Sequence, residues 1–257
     1  MKRKNEKQNR LIKVILLVFL YAGILLICFP ILKDSLFVEK TTTIKTTEVA
    51  RLSEIDQIPF ERIEAPAISD IMKSSDAYTS IGAIQLPSIG MSLPIFAGLS
   101  QEAMLYGAGS MYPERDPNTN NLVLLGHHTG VSDLLFGKLA EVKRGDQIYL
   151  RYLSRYYAYE IQTKKMVNET QINVLEKSTV PLLTLVTCDR DTATKMRLVV
   201  TAKPVKQMST VVKTKMTHQV KEKQEQQILL KVGHVWLPLL GIIAVLVLLT
   251  YLIIKKV

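Results

Sequence analysis

Leu183-Thr184-Leu185-Val186-Thr187-Cys188 is separated by the eight residues Asp189 to Met196 from a second run, Arg197-Leu198-Val199-Val200-Thr201. The first run alternates, which places Thr184, Val186 and Cys188 on one face of a strand. If the two runs form a hairpin, the end of one strand lies beside the start of the next, and Cys188 and Arg197 become neighbours. A guanidinium at that distance favours thiolate over thiol and donates hydrogen bonds to an oxyanion, the two needs of a cysteine acyl transferase. The plain alternative for Arg197 is a surface strand residue.

Upstream, His127 and His128 follow the apolar run Leu122-Val123-Leu124-Leu125 and Gly126. A histidine at a strand end after a glycine sits at the rim of a sheet, where a ligand reaches it. Alone it reads as a structural histidine. Beside a thiol it gains weight, because the departing amine needs a proton and imidazole is the side chain with a suitable pKa. His218 and His234 fall between the domain and the second apolar run and take no role. Metal binding has little support, since the sequence has no C-x-x-C, no H-E-x-x-H and no second thiol near Cys188. Glu114 and Asp116, the residues a calcium ion would use, read as a solvated turn, so no cofactor is expected.

The surrounding pattern predicts an all-β domain. Strands are expected near Ile81–Leu86, Ser92–Phe96, Asn121–His127, Gln147–Tyr152, Tyr157–Val167, Leu182–Cys188 and Arg197–Ala202, with short helices at Gln101–Tyr106 and Leu134–Leu139. Residues 33–75, rich in Thr and interrupted by Pro59 and Pro66, read as a stalk. Residues 206–234 read as a second stalk, with a short charged helix over Lys221–Lys231. No internal repeat is visible.

The ends of the 257-residue chain differ from its middle. Val14–Leu32 and Val235–Ile254 are almost wholly apolar and carry no charge. About 20 helical residues match the ~30 Å hydrocarbon core, so both predict transmembrane α-helices. A cleaved signal peptide is the alternative for the first, but its apolar run is long and no A-x-A-like site follows. The net charge of +10 is also terminal: +6 over residues 1–33, −3 over 34–202 and +7 over 203–257. The folded middle therefore lacks the basic surface that nucleic-acid binding requires, and the basic runs read as membrane flanks. By the positive-inside rule both termini, 1–13 and 255–257, are cytoplasmic, and 33–234 lies outside. Of the 2 cysteines, Cys28 falls in the first span as a small apolar residue. Cys188 is left without an intramolecular partner, either inert by burial or kept for reactivity.

The run Thr184-Leu185-Val186-Thr187-Cys188, with Arg197 opening the next strand and Gly126-His127 some 60 residues upstream, resembles the sortases, membrane-anchored cysteine transpeptidases of Gram-positive bacteria. The resemblance covers residues 76–205 and includes Ile81-Gly82-Ala83-Ile84-Gln85-Leu86-Pro87, Leu93-Pro94-Ile95-Phe96-Ala97-Gly98 and Tyr106-Gly107-Ala108-Gly109-Ser110-Met111. It implies an eight-stranded β-barrel with short helices, flanked here by the two spans. It also implies Cys188 as nucleophile, His127 as general acid/base and Arg197 as oxyanion-stabilising or substrate-orienting group. Thr184, Leu185, Thr187 and His128 are then expected to support the substrate groove. The implied partners are surface proteins bearing a Leu-Pro-x-Thr-Gly sorting signal, and an amine from a peptidoglycan precursor or a pilin lysine, at a membrane lipid surface. The His127-His128 doublet resembles class A enzymes. A second span resembles class C, whose D-P-aromatic lid tripeptide is absent from residues 33–80. The Cys188 to Arg197 interval is one residue longer than in class A relatives. A hydrolytic cysteine protease and a non-catalytic membrane-tethered scaffold are the rival readings.

Overall fold

The computed structural model describes residues 2–75, 77–129, 131–192, 194–206, 209–217, 229 and 231–256. In chain order its elements are α1 (Lys2–Thr43), β1 (Lys45–Glu48), α2 (Ile68–Lys73), β2 (Ala77–Ser80), β3 (Gly82–Leu86), β4 (Met91–Ala97), β5 (Ala108–Ser110), β6 (Asn121–Leu125), β7 (Gln147–Tyr152), β8 (Arg155–Asn168), β9 (Leu182–Cys188), β10 (Met196–Pro204), α3 (209–217) and α4 (Leu237–Lys256). Two compact units emerge, one from residues 1–39 with 228–257 and one from residues 40–227.

The first unit holds the two apolar helices. Both are long and apolar enough to cross a membrane. Leu32 does not end α1, which continues to Thr43, because nothing between them breaks a helix before the β-branched Thr41-Thr42-Thr43.

The second unit is a closed barrel of eight strands in the order β10-β8-β7-β3-β4-β5-β6-β9. Closure leaves no edge strand within it. Apolar residues fill it on alternate positions, with Ile84, Leu122, Leu124, Ile148, Leu183, Leu185 and Val200 fully buried. On the other face Val123, Val167, Val186 and Val199 form a second cluster, covered by Val174 and Leu175 of the β8–β9 connection. β9 is thus buried on both sides, which is why its sequence carries no charge before its end.

β6 and β9 are parallel and adjacent, Asn121 to Leu125 pairing with Leu182 to Val186. Parallel neighbours discharge their following residues at the same rim, so His127 and Cys188 emerge together. β9 and β10 form the expected antiparallel ladder, with Cys188 opposite Arg197.

Several elements differ from expectation. β6 stops at Leu125, before His127, because Gly126 is pressed against the Phe136 ring; a Cβ there would lie 2.8 Å from it. Leu134–Leu139 is not a helix but a set of turns, followed by a 3-10 turn at Leu139–Glu141; Thr129 Oγ1 donates to Val131 O at 2.7 Å and fixes this corner. Gln101–Tyr106 contains only the 3-10 turn Ala103–Leu105. β5 was not expected, since a three-residue strand with a central glycine has no pattern to detect.

Neither supposed stalk is bare. β1 pairs in parallel with β2. Residues 58–66 lie along the barrel, where Leu99 N donates to Pro59 O and Glu61 N donates to Leu99 O, both at 2.8 Å. Gly98 makes this crossing possible: its φ is +75°, and a Cβ would lie 2.1 Å from Pro59 O. Beyond β10, α3 buries Val212 and Met216 against Tyr149 and Ala158. Gln85 Nε2 donates to Met216 O at 3.1 Å, and Lys215 Nζ to Tyr149 OH at 2.7 Å. Of the expected Lys221–Lys231 helix, residues 221–228 and 230 lie outside the described residues, as does His218; His234 lies in the π-helical turn before α4.

Candidate active site

Cys188, His127 and Arg197 line one cleft of about 740 Å³ at the rim where β6 and β9 end. Thr187 and His128 line it as well. Thr184 and Leu185 do not: Leu185 is fully buried in the barrel, and Thr184 Oγ1 donates to Asn121 Oδ1 at 2.7 Å. The strict alternation of a strand sends its residues to opposite faces, so only those at its last turns reach the rim.

Cys188 is half-buried, and burial pushes its thiol above the ordinary value of 9.0. Arg197 pulls in the opposite direction, while Asp189 and Glu169 add to the rise. The guanidinium is therefore present as expected, but the net balance at rest favours the thiol. His127 is 6% exposed, and that burial lowers its imidazole to about 4; the charge of Asp70 on α2 works weakly against this. At neutral pH the resting pair is a neutral thiol and a neutral imidazole, not a thiolate–imidazolium pair. His127 Nε2, His128 Nδ1 and Thr187 Oγ1 are buried without a hydrogen-bond partner among the described residues. An unsatisfied buried polar atom costs about 1–3 kcal/mol.

Arg197 is tightly held. Nη1 donates to Thr194 O at 2.6 Å and to Met196 O at 3.1 Å, and Nη2 to Glu169 Oε2 at 2.8 Å. Those bonds leave Nε–H and one Nη2 hydrogen for another acceptor. Glu169 escaped the sequence reading because it meets Arg197 only across strands.

The strap formed by residues 62–66 lies along another wall of the cleft. Gln101 clips it in place. Its backbone N donates to Glu61 Oε2 at 2.7 Å, its Oε1 accepts from Glu64 N at 2.9 Å, and its Nε2 donates to Glu64 O at 3.2 Å and to Asp70 Oδ2 at 3.3 Å. With Ala67 N also donating to Asp70, that carboxyl is held below the usual range. Away from the cleft, at the start of β6, a polar clamp holds the β8–β9 connection to the barrel. Arg115, stacked on Tyr112, donates to Asn121 O and Leu175 O, and Asn121 Nδ2 donates to Val174 O and Glu176 O. No signal in the sequence marks either device, because their partners are backbone and carboxylate groups distant along the chain.

Glu114 and Asp116 are not part of the cleft. Among the described residues no group of three or more His, Cys, Asp or Glu side chains is placed to hold a metal ion.

A thiol, an imidazole and a guanidinium around one cleft, on a closed barrel, suit acyl transfer through a thioester. A family model described as Sortase domain matches residues 84–205. Sortase A of Listeria monocytogenes is 31% identical over 196 residues, covering 73% of this chain and 88% of that protein. Sortase A of Streptococcus agalactiae is 34% identical over 143 residues, covering 53% of this chain and 58% of that protein. Among solved structures, that of Listeria monocytogenes sortase A aligns at 34% identity with a TM-score of 0.48, covering 49% of this chain and 88% of that one. A relative more than 30% identical across most of its own length leaves one assignment: the chain belongs to the sortase family of cysteine transpeptidases.

Proposed function

We propose that the chain cleaves a Leu-Pro-x-Thr-Gly-type sorting signal between Thr and Gly and joins the Thr carbonyl to an amine of a cell-wall precursor. The observation that carries this reading is the register pair Cys188 and Arg197 on the strand rim that His127 shares. Cys188 Sγ attacks the Thr carbonyl carbon as its proton passes to His127. The low proton affinity of the buried imidazole makes it a willing donor in the next step. The uncommitted donors of Arg197 meet the oxyanion, the C–N bond breaks, and the Gly amine departs with the proton from His127. A thioester to Cys188 remains, which conserves acyl-transfer potential until the incoming amine attacks. His127 then takes that amine's proton, and the thiol is restored.

α1 and α4 anchor the enzyme at both ends, with the termini cytoplasmic and the loop 33–234, which carries the barrel, outside, where sorting-signal proteins and lipid-linked wall precursors meet. A pilin lysine as acceptor is the second reading, favoured by the apolar α4 after the domain.

The test uses the full chain in detergent with a labelled Leu-Pro-x-Thr-Gly peptide and an amine. The expected result is an amide product with the wild type and none with Cys188→Ala. Turnover surviving in the alanine variant refutes Cys188 as nucleophile, and free acid as sole product with amine in excess identifies a hydrolase instead.

A further inference from the structure

Cys188, Arg197 and Glu169 form a row across three strands. Arg197 on β10 is the register partner of Cys188 on β9 and of Val167 on β8. Register partners share a face, and so do residues two apart on a strand. Glu169, two residues beyond Val167, therefore falls on the same face as Arg197, at the diagonal position. Its backbone keeps the strand course past the end of β8, since Glu169 N donates to Lys195 O at 2.8 Å. The guanidinium thus stands between a thiol on one side and a carboxylate on the other.

The Arg197 side chain is long, and held by carbonyls alone it would retain several rotamers. Thr194 O in the hairpin connection and Met196 O at the start of β10 hold Nη1. Glu169 is the only charged partner bonded to the guanidinium among the described residues, at 2.8 Å. It is also close enough to Cys188 to oppose the effect of Arg197 on the thiol.

We propose that Glu169 is the positioning residue of Arg197: it anchors the outer end of the guanidinium so that the remaining N–H donors face the Cys188 acyl carbon. This rests on Arg197 serving the oxyanion, as set out above. The same carboxylate also adds, after burial and Asp189, to the rise of the Cys188 thiol.

The other charged groups around Cys188 are spread over every neighbouring element. The Asp189–Arg190 ion pair and Asp191 belong to the hairpin connection, His127 and His128 follow β6, and Arg62 and Glu64 lie on the strap. None of these is altered by a change at Glu169, so a comparison of variants isolates its contribution.

The experiment compares wild type, Glu169→Gln, Glu169→Ala and Glu169→Asp as full chains in detergent. It measures the pH dependence of Cys188 alkylation by a methanethiosulfonate alongside kcat and KM for transfer. Glu169→Gln keeps an acceptor and loses the charge, so its alkylation profile moves to lower pH while kcat stays within about threefold of wild type. Glu169→Ala shows the same pH displacement with kcat down about tenfold and KM nearly unchanged, and Glu169→Asp recovers part of the rate. In an Arg197→Met background, Glu169→Ala costs no further kcat. Superimposable alkylation profiles for all four proteins, or an undiminished loss in the Arg197→Met background, overturn the proposal. Wild-type protein that makes no transfer product, yet shows the displaced alkylation profile in Glu169→Gln, refutes the transpeptidase reading and leaves the Glu169 assignment standing.

Discussion

Cys188 and Arg197 face each other directly across the β9–β10 ladder, one closing its strand and the other near the start of the next. The guanidinium offers its donors as a planar fork, which an ammonium cannot reproduce. Arg197→Lys is expected to lower kcat about 10²-fold, with a much smaller change in KM. Steady-state transfer kinetics check this, and near-normal kcat for the lysine variant rules out an oriented guanidinium.

Burial raises the Cys188 thiol, so the free enzyme should alkylate slowly at neutral pH. The rate is expected to keep climbing beyond pH 9.0, the ordinary thiol value. A plateau reached below that pH would mean that Arg197 outweighs burial.

His127 titrates near 4 in the folded protein against 6.5 when unfolded. As pH falls through 6.5 the unfolded chain takes up a proton that the folded one refuses. Stability from this group is therefore complete above about 6.5, declines down to about 4, and loses nothing further below; the whole span is worth up to about 3 kcal/mol. Urea unfolding at several pH values should show wild type losing stability across that window and His127→Gln losing distinctly less. Parallel curves for the two proteins would place the imidazole in solvent.

Gln101 holds the strap through both its backbone and its amide. Gln101→Ala keeps the backbone bond and removes the amide bonds. At about 1 kcal/mol for each lost hydrogen bond, the population with the strap released rises at least about fivefold. Limited proteolysis within residues 61–66 and alkylation of Cys188 should both accelerate accordingly. Unchanged rates would show that Glu61 and Leu99 alone suffice.

Asn121 ties three carbonyl and hydroxyl partners together from a buried position. Asn121→Ala leaves the Thr184 hydroxyl and two carbonyls without their bonds and is expected to cost about 2 kcal/mol in chemical denaturation. The β8–β9 connection should lose amide exchange protection before the barrel strands do. Uniform loss of protection throughout the barrel would assign Asn121 to global stability alone.

The sequence reading succeeded where the physics is local. Short apolar runs between turn signals located Leu182–Cys188 and Gln147–Tyr152, and the hairpin argument brought Arg197 beside Cys188. Its failures share a cause. Glu169, Gln101 and Asn121 act through partners remote in sequence, and a polar residue bound to a distant carbonyl looks the same as one facing water. Thr184 alternates onto the face of Cys188 yet belongs to the Asn121 clamp, because periodicity gives the face of a strand but not the distance from the rim. The strap and α3 were missed for a related reason: short segments laid on a barrel need only a few apolar anchors, such as Val212 and Met216, and generate no sustained period.

The parallel pairing of β6 with β9 has a consequence for how activity arises. His127 and Cys188 are brought together only after the intervening β7 and β8 have folded back, a long-range closure that is entropically costly until the barrel is nearly complete. A chain whose barrel has not closed carries Cys188 with neither His127 nor Arg197 held beside it. Transfer activity is therefore expected only once the barrel closes, and a lesion in β7 or β8, far from any reacting atom, is expected to abolish it by preventing that closure.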